Sequence, residues 1–277
     1  MLQETKQLLR RSEIWLNNRL GQNQVVDPII LKKMVDYAEL TAKDVVLEIG
    51  AGVGNLTIML ADLAGVVVAI EKDKKLTKIL RERLKDRTNV KIIQGNVLNI
   101  ELPKFNKIVS NLPFSISSKI IFKLLGLNFD LAVLMFQKEF AERLVAAPGT
   151  ENYGRLTVNT YYRANVEMLD EVPPSAFFPQ PKVSSAIVKL IPRLPPFEVR
   201  DERVFSRVVR ALFQHRRQRV RNALLHSFSE IFPERKITKG EIRSFLEGIL
   251  PKKYLETRVM ELTPENFGEI SNLLISP

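Results

Sequence analysis

The chain has no cysteine in 277 residues and only two histidines, His215 and His226. Disulfides, thiolate nucleophiles and cysteine-based zinc sites are therefore excluded, and two histidines do not form a metal-binding cluster. We expect no metal site, and packing or surface roles for both histidines. The longest apolar run, around Val66–Ile70, is far too short to span a bilayer.

The N-terminal residues alternate charged and apolar side chains and lack the apolar core of a signal peptide. A protein of the cytoplasm or nucleus is therefore expected; we take the cytoplasm, with no membrane partner and a monomer as the default. Lysine and arginine number 42 against 31 acidic residues, which gives a net charge of +11. Such an excess favours a polyanionic partner, because each phosphate neutralised by a basic side chain releases a counterion. The alternative is a basic protein without a nucleic-acid partner.

Short apolar runs alternate with helical patterns over the first half of the chain. The predicted strands are 44–49, 66–70, 90–93, 107–110 and 131–136, and the predicted helices between them are 55–62, 74–86 and 117–125. Continuous apolar strands spaced by helices are typical of a parallel sheet that is covered on both faces. The fold class is therefore α/β, a doubly wound Rossmann-like domain.

The pattern changes after residue 155. Residues 156–190 predict two longer strands around a proline-rich turn at 173–181, paired antiparallel at the edge of the sheet. Prolines at 192–196 then mark a boundary, and arginine- and leucine-rich helical patterns follow from residue 201. We expect a large α/β domain over residues 1–192 and a small all-α domain over residues 197–277.

A glycine turn follows the first predicted strand of the α/β domain, with Gly50, Gly52 and Gly54 spaced G-x-G-x-G. Glycines at a strand-to-helix turn let the backbone approach a ligand closely. Asn55 stands where a dinucleotide fingerprint has its last glycine. Glu71 ends the second strand about 20 residues on, where a carboxylate accepts ribose hydroxyls. By itself the turn leaves open a nicotinamide or flavin cofactor, or simple packing of helix on strand.

The fourth predicted strand ends in the tetrapeptide Asn111-Leu112-Pro113-Phe114. The carboxyl ends of strands line the ligand crevice of an open α/β sheet. An adenine amino nitrogen is a poor nucleophile because its lone pair is delocalised into the ring. The Asn111 side-chain oxygen and the Leu112 carbonyl would accept its two N–H bonds, Pro113 would fix the turn, and Phe114 would stack on the base. The alternative is a strand-ending turn with a core phenylalanine.

With these two motifs the sequence resembles the small-subunit ribosomal RNA adenine dimethyltransferases, the KsgA-type family, over nearly its whole length. The resemblance also rests on Gly21-Gln22-Asn23, on 137–139 with Arg143-Leu144, on 153–156, and on 171–177 with Pro179, 181–183 and 185–186. It implies a class I methyltransferase domain with a lid over residues 1–30, followed by a helical RNA-recognition domain. S-adenosylmethionine would be the cofactor, and the product would be dimethyladenosine at two adjacent adenines near the 3′ end of small-subunit rRNA.

The resemblance also implies the residues that contact the cofactor. They are Asn23, Val25, Gly50, Glu71, Asn96 and Asn111, and we add Gly52 from the glycine turn. Three positions depart from the family pattern. Asn96 stands where aspartate is usual, although its side-chain oxygen still accepts a hydrogen bond from an adenine amino group. Phe114 stands where many members have tyrosine, and Val25 matches only loosely, so Gln22 becomes an extra candidate contact.

Two further groups of residues are expected to contact RNA. Phe177 would close the other side of the base pocket, with edge-strand packing as the alternative. Helical spacing separates an arginine face from an apolar one, and a solvated face with local ion pairs is the alternative. The arginines predicted to bind RNA phosphates are Arg207, Arg210, Arg216, Arg217, Arg219 and Arg221.

The predicted function is therefore dimethylation of adenine in small-subunit rRNA, within a pre-small-subunit ribosomal particle and with a role in small-subunit biogenesis. Two alternatives stay open. One is the erythromycin-resistance type of enzyme, which modifies large-subunit rRNA with the same active-site logic. The other is an assembly factor that acts mainly by binding.

Overall fold

The computed structural model describes residues 1–16 and 22–275, and it divides into two compact units. The first comprises Met1–Ala141 and Asn165–Pro192, and the second comprises Glu142–Ala164 and Arg193–Pro277. This division differs from the predicted boundary in one segment, because residues 142–164 group with the C-terminal helices. Their buried side chains Tyr153, Val158 and Tyr162 lie in the same apolar cluster as Val208 and Leu212.

The first unit is built on a seven-stranded sheet. Its strands are β2 (Val45–Ile49), β3 (Val66–Glu71), β4 (Val90–Gln94), β5 (Lys107–Asn111), β6 (Leu131–Gln137), β7 (Ala164–Val172) and β9 (Ser185–Pro192). They lie in the order β4-β3-β2-β5-β6-β9-β7. Strands β2 to β6 pair in parallel, and β9 pairs antiparallel with β6. This is the predicted α/β fold, with β7 at the edge next to β9.

Helices connect the parallel strands as the sequence predicts. They are α3 (Asn55–Ala61), α4 (Lys74–Arg83) and α5 (Ser117–Leu124). Asp73 caps the N-terminus of α4, and its carboxylate accepts hydrogen bonds from the amides of Lys75 and Leu76. Strand β6 is buried over residues 131–136, as expected for a strand that is covered on both faces.

The N-terminal segment adds two helices and a short strand to this unit: α1 (Leu2–Arg11), β1 (Gln24–Val25) and α2 (Pro28–Tyr37). Strand β1 pairs antiparallel with β8 (Phe177–Phe178), so that Gln24 lies opposite Phe178 and Val25 opposite Phe177. The predicted lid is therefore joined to the proline-rich turn. Gly21 of the lid motif lies outside the described residues.

One predicted strand is wrong at its start. Residues 155–163 form helix α7 (Arg155–Arg163), and the strand begins only at Ala164. The segment is rich in β-branched and aromatic residues, which favour strands in isolation. Burial of Leu156, Val158 and Tyr162 overrides that preference, and the Thr160 hydroxyl donates to the Leu156 carbonyl (2.8 Å) along the helix.

The second unit is helical around one apolar cluster. Besides α7, its helices are α8 (Glu202–Gln214), α9 (Val220–Ile231), α10 (Lys239–Ile249), α11 (Lys252–Glu256) and α12 (Pro264–Leu274), while α6 (Lys138–Leu144) contains the boundary between the units. The predicted all-α C-terminal region is thus present. Within the part of the chain that the structure describes, no helix has the length and apolarity needed to cross a membrane.

Candidate active site

The glycine turn between β2 and α3 requires its glycines. Gly50, Gly52 and Gly54 all have positive φ, of 76°, 58° and 88°. A Cβ on Gly50 would lie 3.1 Å from the Pro113 ring, and a Cβ on Gly52 would collide with the Gln24 amide. The turn therefore brings bare backbone against the tetrapeptide 111–114 on one side and the lid strand on the other.

Glu71 is held at the end of β3 by backbone amides. Its Oε2 accepts from the Gly52 amide and its Oε1 from the Asp73 amide, both at 2.8 Å. Burial raises the pKa of this carboxyl, and the two amides act against that rise. The hydrogen bonds also fix the carboxylate against the glycine turn, where it would meet ribose hydroxyls.

A cavity of about 400 Å³ opens beside these groups, a size that suits a cofactor or substrate. The predicted residues Gly50, Glu71 and Asn96 line it together, with Pro113 and Gln22. The Asn96 side-chain oxygen already accepts from the Leu98 amide (3.1 Å). Because an amide oxygen has two lone pairs, Asn96 retains one acceptor site for an adenine amino group.

Asn111 ends β5 and presents an acceptor that is buried and unpaired. Its Nδ2 donates to the Asn23 carbonyl (2.8 Å), which fixes the amide, while its Oδ1 is buried with no partner. An orphaned buried acceptor is costly unless a ligand supplies the donor. The Ser110 hydroxyl accepts from the Ile49 amide (2.8 Å) and thereby ties the end of β5 to the end of β2. The neighbouring Leu112 is buried.

Asn23 offers a second orphaned acceptor, since its Oδ1 is also buried without a partner. Val25 is buried on β1, and its carbonyl accepts from the Asn55 amide (2.9 Å). Val25, Gly50 and Asn111 line a second, narrow cavity of about 20 Å³. Five of the seven predicted cofactor-binding residues thus line these two cavities, which share Gly50, whereas Asn23 and Gly52 line neither.

Three polar residues that the sequence reasoning did not assign also belong to this site. The Gln24 side chain accepts from the Val53 amide (3.2 Å) and covers Gly52. The Asn55 Nδ2 donates to the Thr5 hydroxyl (3.1 Å), and its Oδ1 accepts from Arg83 (2.8 Å). Asn55 could have been identified from the sequence, because it stands where a dinucleotide fingerprint has a glycine. Gln24 has no such feature in the sequence, because the pairing of β1 with β8 that positions it is a long-range contact.

Glu48 is the third unassigned residue. It is a carboxyl in an otherwise apolar strand, 2% exposed, and lines the narrow cavity. Burial raises the pKa of Glu48 to about 8, and the nearby Glu71 adds to that rise, while the Thr57 hydroxyl opposes it. A charge inside a buried strand was the sequence signal.

Phe114 and Phe177 meet, but not as parallel plates. Their ring centroids are 6.4 Å apart at an interplanar angle of 67°, an edge-to-face contact. Phe177 is 2% exposed and packs into the core beside Val172, whereas Phe114 is half-buried. A base stacked between the two rings needs one of them to turn, so a stacking role for Phe177 stays a prediction.

Three of the predicted RNA-binding arginines are held by contacts within the helical unit, and three have more freedom. Arg216 donates to the carbonyls of Thr150 (3.0 Å) and Glu151 (2.9 Å). Arg219 and Arg221 share the Glu256 carboxylate. The exposed or half-exposed remainder, which has the greater freedom to reach a phosphate, consists of Arg207, Arg210 and Arg217.

These geometries fit S-adenosylmethionine. The glycine cradle, the fixed Glu71 and the Asn96 oxygen match a ribose and an adenine. The buried, unpaired oxygens of Asn23 and Asn111 are acceptors that N–H donors of a ligand would satisfy. None of the described residues forms a group of three histidine or carboxylate side chains around a metal position.

Comparison with known proteins agrees with this assignment. The model of the family described as ribosomal RNA adenine dimethylase matches residues 15–255. The chain is 45% identical over 97% of its length to a probable ribosomal RNA small subunit methyltransferase A of Methanothermobacter thermautotrophicus, of which it covers 94%.

Two solved structures are also similar over most of the chain. A dimethyladenosine transferase from Plasmodium falciparum has a TM-score of 0.72 at 32% identity, over 87% of this chain and 93% of that one. The 23S rRNA methyltransferase ErmE has a TM-score of 0.65 at 28% identity, over 91% and 99%. The chain belongs to the ribosomal RNA adenine dimethylase family, whose methyl donor is S-adenosylmethionine.

Proposed function

We propose that the protein dimethylates the exocyclic amino groups of two adjacent adenines near the 3′ end of small-subunit rRNA. The observation that carries the proposal is the Asn111 oxygen, which is buried without a partner at the end of β5 while the other half of the amide is fixed on Asn23. Such an acceptor suits an N–H donor from a flipped-out base. We propose that the protein acts as a monomer in the cytoplasm, on a pre-small-subunit ribosomal particle.

The residues of the crevice would prepare the adenine nitrogen for attack. The Asn111 Oδ1 and the Leu112 carbonyl would accept its two N–H bonds, which draws the lone pair out of the ring. S-adenosylmethionine supplies an electrophilic methyl group on a sulfonium. Gly50, Glu71 and Asn96 would hold this donor, and its sulfur would take back the electrons of the carbon–sulfur bond when the methyl group moves to nitrogen. The nitrogen then gives up one proton to water. Holding the two reactants at attack distance accounts for several kcal/mol of the barrier.

Phe114 would support the extruded base from one face, which is worth about 1–3 kcal/mol per base. It begins a 3-10 turn that directly follows Pro113, so the ring and the Leu112 carbonyl belong to one rigid segment. Gly50 packs against Pro113 and couples this segment to the cofactor side. The proposed substrate-binding segment 111–114 and the cofactor-binding glycine turn are therefore in direct contact.

The erythromycin-resistance type remains the competing enzyme, and likeness to ErmE supports it at 28% identity. Identity of 45% to a relative named for the small subunit favours the small-subunit substrate. Incubation with labelled cofactor should label small-subunit particles and leave naked large-subunit rRNA unlabelled. The opposite distribution of label would replace the proposal by the competing one.

The role of Asn111 is tested by Asn111→Ala. We expect methyl transfer to fall by about 10²-fold or more, as when one preorganised polar group is removed from an active site. Binding to the particle should stay within about threefold of the parent. Methylation at the parental rate would refute the assignment of Asn111, and loss of binding together with rate would instead favour a mainly structural role or an assembly factor.

A further inference from the structure

Glu48 is a buried ionisable group that the proposed reaction does not use. It is 2% exposed, and its Oε2 has no hydrogen-bond partner. It lines the same narrow cavity as Gly50 and Asn111. Its position is therefore next to the backbone and the side chain to which the methyl donor and the substrate are assigned.

The carboxyl groups of Glu71 and Glu48 differ in the hydrogen-bond donors that the protein offers them. Glu71 accepts hydrogen bonds from the amides of Gly52 and Asp73, one on each oxygen. Glu48 has no such donors on its buried oxygen. Two neighbouring buried carboxyls do not both ionise readily, and the one with amide donors carries the charge. Glu48 is therefore the protonated partner in the free protein.

Among the described residues that line the cavity of Glu48, no other side chain titrates. The residues that β1, α2, α3 and β5 contribute to its cavity are uncharged: Gln24, Val25, Leu31, Asn55, Leu56 and Asn111. From β3, Glu71 faces it with a negative charge. A positive charge arriving on a ligand would thus meet a protonated acid in a poorly hydrated place, and would favour its ionisation.

The methyl donor and the product that it leaves behind differ in the charge on their sulfur atom. S-adenosylmethionine carries a positive sulfonium, while S-adenosylhomocysteine carries a neutral thioether. We propose that Glu48 is a specificity-determining residue that is protonated in the free protein, releases its proton to solvent when the sulfonium binds, and so favours the methyl donor over the product. After transfer the sulfur is neutral, Glu48 takes up a proton again, and the product leaves more readily. The inference rests on the cofactor site of the proposed function.

The sign of the pH dependence follows from this scheme. Because ionised Glu48 belongs to the donor-bound state, the affinity for S-adenosylmethionine should rise with pH and level off near the pKa of about 8. Below that value the rise approaches about tenfold per pH unit. Affinity for S-adenosylhomocysteine should lack this component.

The test is isothermal titration calorimetry of the full chain at pH 7, in two buffers with different enthalpies of ionisation. We expect S-adenosylmethionine to release close to one proton more than S-adenosylhomocysteine does. In Glu48→Gln this excess should disappear and the preference for the donor should fall by about tenfold. Exposed Glu167→Gln is the matched control and should keep both. Because titration of the ligands' own amino groups is common to all three proteins, it cancels in the comparison.

An excess of protons that is the same in Glu48→Gln and the parent would overturn the inference, as would no excess in the parent. If Glu48→Gln fails to fold, the parent decides alone: an affinity for the donor that is flat between pH 6 and 8 rejects the role of Glu48. Failure of the proposed function looks different, because S-adenosylmethionine would then not bind, or small-subunit rRNA would not be methylated although the donor binds.

Discussion

Asn55 links the N-terminal segment to the cofactor turn, and its removal should loosen both. Its Nδ2 donates to the Thr5 hydroxyl (3.1 Å) and to the Val25 carbonyl (2.9 Å), and its Oδ1 accepts from Arg83 (2.8 Å). The side chain is 3% exposed. Asn55→Ala therefore removes three hydrogen bonds, of which two are buried and the third, from charged Arg83, is partly buried. At about 1 kcal/mol for each bond, the expected loss is about 3 kcal/mol.

The loss should appear in two measurements. In calorimetry, the melting temperature of the α/β unit should fall by about 6–12 °C, from about 2–4 °C per kcal/mol for a unit of this size. Hydrogen exchange should accelerate in peptides that cover α1 and β1, because Thr5 and Val25 lose their tie to α3. Peptides of the helical unit should exchange at the parental rate.

A matched control is Asn159→Ala, which removes one local hydrogen bond, from Asn159 to the Arg155 carbonyl. It should cost about 1 kcal/mol or less and leave α1 protected. The reasoning would be refuted if Asn55→Ala melted within 2 °C of the parent, or if exchange in α1 did not change.

Three further outcomes are expected. Gly52→Ala should weaken S-adenosylmethionine binding at least tenfold by calorimetry, because Gly52 has a positive φ and a Cβ there would collide with Gln24. The control is Gly149→Ala, which should leave binding unchanged, because Gly149 has a positive φ but no neighbour within 4 Å of an added Cβ. Burial opposes ionisation of Asp44, yet hydrogen bonds from Asn106, Thr41 and Lys107 lower its pKa to about 2. The ionised carboxylate therefore contributes about 2 kcal/mol of stability, which is present above pH 4 and is lost as the pH falls towards 2. Asp44→Asn should flatten the acid-unfolding curve between about pH 4 and pH 2. Arg217→Ala should weaken rRNA binding and reduce its salt slope by about 1, and an unchanged slope would remove Arg217 from the RNA surface.

The α/β fold was predictable because its signal is local. Strands such as β3 and β6 are continuous apolar runs, and their burial on both faces follows from that composition. The start of α7 was not predictable, because the strand preference of its residues is overridden by packing onto helices more than 40 residues away, such as α8. The grouping of residues 142–164 with the C-terminal helices was missed for the same reason.

The site residues likewise separate into those that local patterns predict and those that contacts between distant segments position. Gly50, Glu71 and Asn111 could be proposed as candidates because they stand at the ends of predicted strands, and such ends meet at one edge of a parallel sheet. Asn96 became a candidate through the family resemblance. Gln24 lies on a two-residue strand that is defined by its partner Phe178, so its place on the glycine turn depends on a contact between distant segments.

The edge-to-face contact of Phe114 and Phe177 likewise depends on side-chain orientations that spacing does not set. The arginines of the helical unit show the same limit. Helical spacing placed them on a polar surface, but it did not reveal which of them pair with Glu256.

We propose that the Asn111 crevice transfers methyl groups to adenine in small-subunit rRNA. Mass spectrometry of nuclease-digested rRNA, after reaction of unmethylated small-subunit particles with the protein and S-adenosylmethionine, tests it most directly. We expect dimethyladenosine at two adjacent positions near the 3′ end. Methyl groups confined to another base, to ribose or to large-subunit rRNA would contradict it.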